Sequence, residues 1–258
     1  MKITVLTLFP EMFEGFATSS IIKRAIGKGV VEFEVLNIRD FTKDKYGRTD
    51  TPPIGGGAGL IEKAQPIVDA IKSCRNEHSK VILMSPRGET FKQPKAKELS
   101  KEEHLIFVCG HYEGIDERVN PYIDEFLSIG DFILTGGEIP SMAISDAIIR
   151  LLDGAISSDS LEDESFNDNT LEYPQYTEPY DFEGSKVPAI LYCGNHEAVR
   201  KWRRRESLLL TRKHRPDLFD KLELSKQDKK LLDDHDAGIT PKWESDALEK
   251  GARFMKEK

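Results

Sequence analysis

Residues 105–119 read LIFVCGHYEGIDERV, an apolar run that changes abruptly into a turn crowded with titratable groups. The segment 105–109 has the length and composition of a buried strand. Directly after it, between two glycines, come His111, Tyr112 and Glu113. So many polar side chains in one turn need either water or a ligand around them. The stretch predicts a buried strand whose carboxyl end leads into a site.

Similar apolar runs recur along the first 150 residues and alternate with helical patterns. The predicted strands are 3–8, 31–38, 81–85, 105–109 and 132–135. The predicted helices between them are 62–74, 93–100 and 138–152. This alternation indicates an α/β fold with a mainly parallel sheet covered on both faces. Loops rich in glycine or charge follow the later strands, and such loops at the carboxyl ends of parallel strands commonly bind ligands.

The composition changes after residue 158. From 159 to 183 there are nine Asp and Glu and no Lys or Arg, whereas 196–215 contains eight Lys and Arg against two Glu. The acidic segment lacks periodicity, which is typical of a linker or flexible loop. Helical patterns follow it. We therefore predict a first domain at 1–158, a flexible acidic linker at 159–173 and a small helical domain with a tail at 174–258.

Bulk properties narrow the class of protein. No apolar run reaches the roughly 18 residues needed to span a bilayer, and the chain begins directly in a strand pattern without a signal peptide. The three cysteines form no framework of disulfides, which favours a cytoplasmic protein. The net charge of −8 argues against nucleic acid, but the local excess of six positive charges at 196–215 could still bind phosphates.

Nucleotide and metal motifs fail on spacing. A dinucleotide-binding G-x-G-x-x-G at 55–60 would need glycine where Leu60 stands, and no phosphate-binding loop precedes Lys28. Cys109-x-His111 and Cys193-x-x-His196 lack the usual spacing of zinc ligands. Cys109 is better explained as the small hydrophobic end of a buried strand. No residue is assigned to a metal.

Several long motifs together resemble one family. They are ITVLTLFPEMF, PIGGGAGL, VCGHYEGIDERV, SIGDFILTGGE, LEYPQYT, VPAILYCGNH and WRRRESL, in the order that the family has them. The chain resembles the TrmD family, bacterial tRNA (guanine-N1)-methyltransferases of the SPOUT class. The resemblance implies a SPOUT-type parallel sheet with a deep trefoil knot, followed by a small, mainly helical C-terminal domain that binds tRNA. It also implies an obligate homodimer.

The same resemblance implies a reaction. The substrate would be tRNA with guanine at position 37, on the 3′ side of the anticodon, and the methyl donor would be S-adenosylmethionine. Members of the family also use Mg²⁺. Guanine N1 carries a proton at neutral pH, so methyl transfer needs a general base near N1 and a cation near O6, where negative charge builds.

The resemblance assigns candidates to these two roles. Arg150 matches the arginine that stabilises the charge on O6. The family's base is an aspartate directly before Ser-Phe, but this chain reads LEDESF, so Glu164 holds that place and Asp163 precedes it. Glu164 is the favoured base, with one more methylene of reach, and Asp163 is the alternative.

Further positions match the family's binding residues. The predicted donor-binding residues are Pro86, Gly110, Ile129, Gly130, Asp131, Phe132, Ile133, Leu134, Gly136 and Gly137. Apolar walls suit an adenine ring, and exposed backbone groups can recognise its edge. The predicted tRNA-binding residues are Asp50, Tyr112, Glu113, Arg203 and Arg204. Tyr112 would stack on guanine and Glu113 would hydrogen-bond to it, while the arginines would neutralise phosphates.

Two other functions stay open at this point. The replacement of aspartate by Glu164 is compatible with a non-catalytic RNA-binding protein of the same fold. A SPOUT methyltransferase that modifies another RNA target would also have these motifs.

Overall fold

The computed structural model describes residues 1–157, 164–166 and 168–256. The chain separates into two compact units, Met1–Ser158 and Asp159–Lys258. Asp163, the alternative candidate for the base, lies outside the described residues. Among those described, no helix combines the length and the apolar character that crossing a bilayer requires.

The first unit contains strands and helices in alternation. Its strands are β1 (Lys2–Thr7), β2 (Glu32–Asn37), β3 (Asp50–Thr51), β4 (Ile61–Glu62), β5 (Ser79–Thr90), β6 (His104–Val108) and β7 (Glu125–Ser128). Its helices are α1 (Glu14–Ala17), α2 (Ser20–Gly27), α3 (Ala64–Cys74), α4 (Gln93–Leu99) and α5 (Glu138–Ile149). Short 3₁₀ helices occupy Pro10–Phe13, Ile38–Phe41 and Glu117–Tyr122.

A five-stranded parallel sheet in the order β2-β1-β6-β5-β7 forms the centre of this unit. Side chains alternate between its faces, as strand geometry requires. Leu105 and Phe107 belong to the core that includes residues of α2 and α5. Ile106 and Val108 belong to a second core, with residues of α3. The prediction of an α/β fold with a parallel sheet is confirmed.

The predicted strand at 132–135 is wrong. The edge strand is β7 (Glu125–Ser128), and the chain leaves the sheet directly after it. Gly130 adopts a φ of 149°, a conformation that favours glycine and lets the chain turn there. Ile133 is 84% exposed, so the apolar run that suggested a core strand is a loop.

The second unit is mainly helical in its described part. A short hairpin is formed by β8 (Asp181–Phe182) and β9 (Ser185–Lys186) and is followed by a 3₁₀ helix at Ala189–Tyr192. The helices are α6 (His196–His214), α7 (Pro216–Phe219), α8 (Lys226–Asp236) and α9 (Lys242–Lys256). Its core comprises Ile190, Cys193, Ala198, Trp202 and Ala247.

Gly251 allows α9 to lie close to the 3₁₀ helix. A Cβ at this position would overlap the carbonyl group of Ala189. Alanine normally stabilises a helix relative to glycine, but we expect Gly251→Ala to lower the free energy of unfolding by about 1–3 kcal/mol because backbone must shift. Urea denaturation measures this. Gly27→Ala, at the end of α2 where a Cβ would meet nothing within 4 Å, is the matched control and should be neutral or mildly stabilising. Equal effects of the two substitutions would contradict the packing argument.

Candidate active site

A cavity of about 440 Å³ opens at the carboxyl ends of β6 and β7 and beside residues 83–87 of β5, where the register with β7 begins to shift. Because the strands are parallel, these segments meet on one side of the sheet. The predicted donor-binding residues that line the cavity are Pro86, Gly110, Ile129, Gly130, Phe132, Ile133, Leu134, Gly136 and Gly137. Asp131 is not among the lining residues. Met84, Leu127 and Pro140 add apolar surface that the sequence analysis did not assign.

Two glycine-containing loops meet backbone to backbone in this cavity. The N–H of Gly137 donates to the carbonyl of Gly110 at 3.0 Å. A Cβ on Gly137 would come within 2.7 Å of Cα of Cys109, and one on Gly136 would overlap the ring of His111. Because Gly136 and Gly137 have no side chains, the two loops can approach each other this closely.

The structure brings Tyr112 and Asp50 together beside the cavity. Burial and then the neighbouring Asp50 carboxylate raise the pKa of the Tyr112 phenol. Tyr112 has a φ of 57°, an uncommon conformation outside glycine, and its side chain is about half exposed. Glu113 packs against Gly59, where a Cβ would overlap its side chain. Three of the predicted tRNA-binding residues therefore cluster around one turn.

A buried network that the sequence analysis missed lies beneath this turn. Glu138 is 1% exposed; it accepts a hydrogen bond from Thr7 Oγ1 at 2.5 Å, and its Oε2 lies 2.7 Å from His111 Nε2. The N–H of His111 donates to Oε1 of the fully buried Glu62 at 2.5 Å. An acid in the first turn of a helix is ordinarily explained by the helix dipole. Nothing in the local pattern indicated that Glu138 is buried.

Glu62 is an acid whose protonation depends on folding. Burial first, and then the nearby Glu138 carboxylate, raise its pKa from 4.5 to about 8. Its Oε2 has no hydrogen-bond partner in the part of the chain that the structure describes. Between pH 4.5 and about 8, Glu62 keeps its proton in the folded state and releases it in the unfolded state. The free energy of unfolding therefore falls as the pH rises through this interval.

We therefore expect the wild type to lose free energy of unfolding between pH 6 and pH 8, by at most about 1.4 kcal/mol per pH unit from this group. Glu62→Gln removes the titrating group, so its stability should change less over the same interval. Urea denaturation at the two pH values measures the difference. Glu98→Gln removes an exposed carboxylate and should keep the wild-type slope. Identical slopes for wild type and Glu62→Gln would exclude a buried, proton-binding Glu62.

The two predicted catalytic residues within the described part lie in different units. Arg150 directly follows α5 as its C-cap and is partly buried. Glu164 belongs to the second unit and is also partly buried. Their roles as base and charge stabiliser stay predictions.

Helix α6 carries the basic cluster, but several of its cations already have partners. Arg204 Nε donates to Asp228 at 2.8 Å, and Arg205 pairs with Glu244 at 2.7 Å. Arg203 lies over the ring of Tyr173, 4.6 Å from its centroid. Arg204 therefore stabilises the second unit besides its predicted role, and the binding of phosphate by Arg203 and Arg204 stays a prediction.

The cysteines considered as zinc ligands are buried. Burial raises the pKa of the Cys109 thiol, whose sulfur lies 3.3 Å from Ser141 Oγ. Cys193 is 1% exposed within the core of the second unit. Across 1–157, 164–166 and 168–256, no three His, Cys, Asp or Glu residues are grouped so that they could hold a metal ion.

Comparison with known proteins identifies the group to which this architecture belongs. The family model described as tRNA (Guanine-1)-methyltransferase TrmD matches residues 1–221. The chain belongs to this family. The match covers the whole sheet, every segment that lines the cavity, and helix α6 of the second unit.

Curated relatives of the TrmD family are similar over most of their length. A tRNA (guanine-N(1)-)-methyltransferase of Clostridium perfringens (strain SM101 / Type A) is 57% identical over 234 residues, 90% of this chain and 99% of the relative. One of Clostridium botulinum (strain Eklund 17B / Type B) is also 57% identical, covering 90% of this chain and 98% of the relative. A third, from Clostridium botulinum (strain Langeland / NCTC 10281 / Type F), is 56% identical over 91% of this chain and 98% of the relative.

Proposed function

We propose that this protein transfers a methyl group from S-adenosylmethionine to N1 of guanine at position 37 of tRNA, on the 3′ side of the anticodon. Membership of the tRNA (guanine-N1)-methyltransferase family supports the reaction. The observation that carries the proposal is the cavity at the sheet edge, whose lining contains nine of the ten positions predicted to bind the donor.

The cavity suits S-adenosylmethionine in size and chemistry. A volume of about 440 Å³ lies within the range of sites for small organic ligands. Met84, Leu127 and Ile129 supply apolar wall for an adenine ring, and Gly110 and Gly136 contribute to the lining without side chains of their own. When bound, this donor supplies a methyl group already activated on a sulfonium.

The chain's own residues would activate the guanine. Glu164 takes the proton from N1, which makes the ring nitrogen nucleophilic, and Arg150 stabilises the negative charge that develops on O6. Tyr112 stacks on the guanine, and Glu113 hydrogen-bonds to it. Asp50 lies beside Tyr112. Among the described residues, no group of three or more His, Cys, Asp or Glu is arranged to hold Mg²⁺.

The rest of the family's organisation belongs to the same proposal. We propose that residues 1–158 form the donor-binding domain with a trefoil knot, that 159–173 act as a linker, and that 174–258 bind tRNA. The working form would be a homodimer in the cytoplasm, where its tRNA substrate is found. Arg203 and Arg204 would contact phosphates, which predicts binding that weakens with salt.

A non-catalytic RNA-binding protein is the second candidate, favoured by Glu164 at the place of the family's aspartate. The test combines two assays on transcripts with guanine or adenine at position 37. The proposed function predicts tRNA binding and donor-dependent methylation of the guanine transcript alone. Binding without methylation would favour the second candidate. Methylation of the transcript with adenine at position 37 would show that the enzyme modifies a nucleotide other than guanine 37.

A further inference from the structure

Three segments from distant parts of the chain meet at His111. The segments 110–115 and 133–137 both line the donor cavity. The third is β4, whose Glu62 donates its N–H to the Gly114 carbonyl at 3.0 Å. A ligand in the cavity therefore contacts both loops, and the contacts between these loops set the distance that separates them.

His111 makes these connections itself. Its N–H donates to Glu62 Oε1, and its ring Nε2 lies 2.7 Å from Glu138 Oε2 at the start of α5. Its main chain also forms an antiparallel bridge with Gly136. Phe9 packs against the imidazole, with the ring centroids 4.6 Å apart. His111 thus connects its loop to β4 and to Gly136 through its main chain, and to the start of α5 through its side chain.

Glu138 gives His111 a rigid anchor. Its other carboxylate oxygen accepts the hydrogen bond from Thr7 Oγ1 at the end of β1, a strand in the interior of the sheet. Glu138 is 1% exposed, and removing a hydrogen-bond partner from a carboxylate buried to this extent is strongly destabilising. The ring is therefore linked through Glu138 to the end of β1 in the central sheet.

His104 offers a comparison within the same strand. It begins β6, whereas His111 follows the other end of that strand. His104 is 3% exposed, with Thr4 Oγ1 at 3.0 Å and Ser79 Oγ at 2.7 Å from its ring nitrogens. It is buried and hydrogen-bonded like His111, but neither it nor its partners line the cavity.

We propose that His111, anchored by Glu138, is a positioning residue for the methyl donor: it holds the two glycine-containing loops at the spacing that the bound donor requires. This inference rests on the proposed function. Because His111 acts through the loops, it affects donor binding and leaves the transfer step itself largely unchanged.

The test compares three variants of the full-length protein. His111→Asn places an amide too short to reach Glu138, His111→Gln places one that can reach it, and His104→Asn is the matched control. Calorimetry with S-adenosylmethionine gives the donor Kd without RNA. Steady-state kinetics with a tRNA transcript bearing guanine at position 37 give kcat and the donor KM, and thermal melting reports stability.

We expect His111→Asn to raise the donor Kd and KM by about tenfold or more while kcat at saturating donor stays within about threefold. His111→Gln should recover most of the affinity. His104→Asn should lower the melting temperature and leave the donor Kd within about twofold of wild type. Thr7→Val, which loosens Glu138, replaces His111→Asn if that variant does not fold and should also raise the donor Kd.

Two results would overturn the positioning role. One is an unchanged donor Kd in His111→Asn, or in Thr7→Val where that variant is used. The other is an equal rise in His104→Asn, which would make the effect one of general stability. Failure of the wild type to bind the donor or methylate tRNA would contradict the proposed function instead, so the two failures are distinguishable.

Discussion

Glu164→Gln is expected to lower kcat by about 10²–10⁴-fold, the range typical of losing a general base. The amide has nearly the shape of the carboxylate but cannot accept the proton from guanine N1. Donor Kd should stay near the wild-type value, because the residues that line the cavity all belong to the first unit and Glu164 to the second. Single-turnover methylation of a tRNA transcript measures the chemical step apart from product release.

Two further substitutions, one at each of the two neighbouring acids, are the controls for this prediction. Glu164→Asp introduces the residue that the family has at this place, so it should retain turnover that Glu164→Gln loses. Asp163→Asn should have the milder effect if Glu164 is the base. An Asp163→Asn variant as inactive as Glu164→Gln would leave the base unassigned, and a fully active Glu164→Gln would remove Glu164 from the mechanism.

Arg150→Ala is expected to lower kcat by about 10²–10³-fold, since a cation placed where charge develops acts mainly on the transition state. The residue follows α5, whose buried residues Ile144, Ile148 and Ile149 belong to the core beside the sheet. Its position is therefore set by a packed helix, and truncation of the side chain should leave the fold intact. Single-turnover methylation, with circular dichroism as a check on folding, measures the effect.

Arg75→Ala is the matched control for the loss of one positive charge from the first unit. Arg75 pairs with Asp124 at 2.8 Å and does not line the cavity. It should change kcat by less than about twofold, because surface ion pairs contribute little. A parallel loss in both variants, or a donor KM that rises while kcat is unchanged in Arg150→Ala, would contradict the assigned role.

Local patterns were sufficient for most of the central sheet. Runs such as 105–109 are apolar because they are buried on both faces, so their composition predicts them directly. The loop 129–134 has a similar composition for a different reason, since its apolar side chains lie at or beside a cavity, and composition alone does not distinguish the two cases. This is why the composition predicts a strand at 132–135 and does not predict β7.

The buried network shows a different limit of sequence analysis. Thr7 and Glu138 are 131 residues apart in the chain, and Glu62 and His111 are 49 apart. Periodicity reports only which face of one element is apolar. It carries no information on which polar side chains meet after folding. His111 was recognised as part of a crowded turn, but its anchor became visible only through the contacts of Glu138.

The basic cluster of α6 shows a third limit. A run of arginines predicts a phosphate-binding face, yet Arg204 and Arg205 form ion pairs with Asp228 and Glu244 in the folded unit. The acidic partners lie in later helices. The net positive charge counted along 196–215 therefore overstates the positive charge that is available to bind RNA phosphates.

The most direct measurement uses S-adenosylmethionine carrying a deuterated methyl group and a tRNA transcript with guanine at position 37. After incubation with the wild-type protein, the transcript is digested and its nucleosides are analysed by mass spectrometry. The account predicts 1-methylguanosine with the labelled methyl group, located at position 37. Labelled methyl on another atom or nucleotide, or a transcript without label despite intact protein and bound donor, would contradict it.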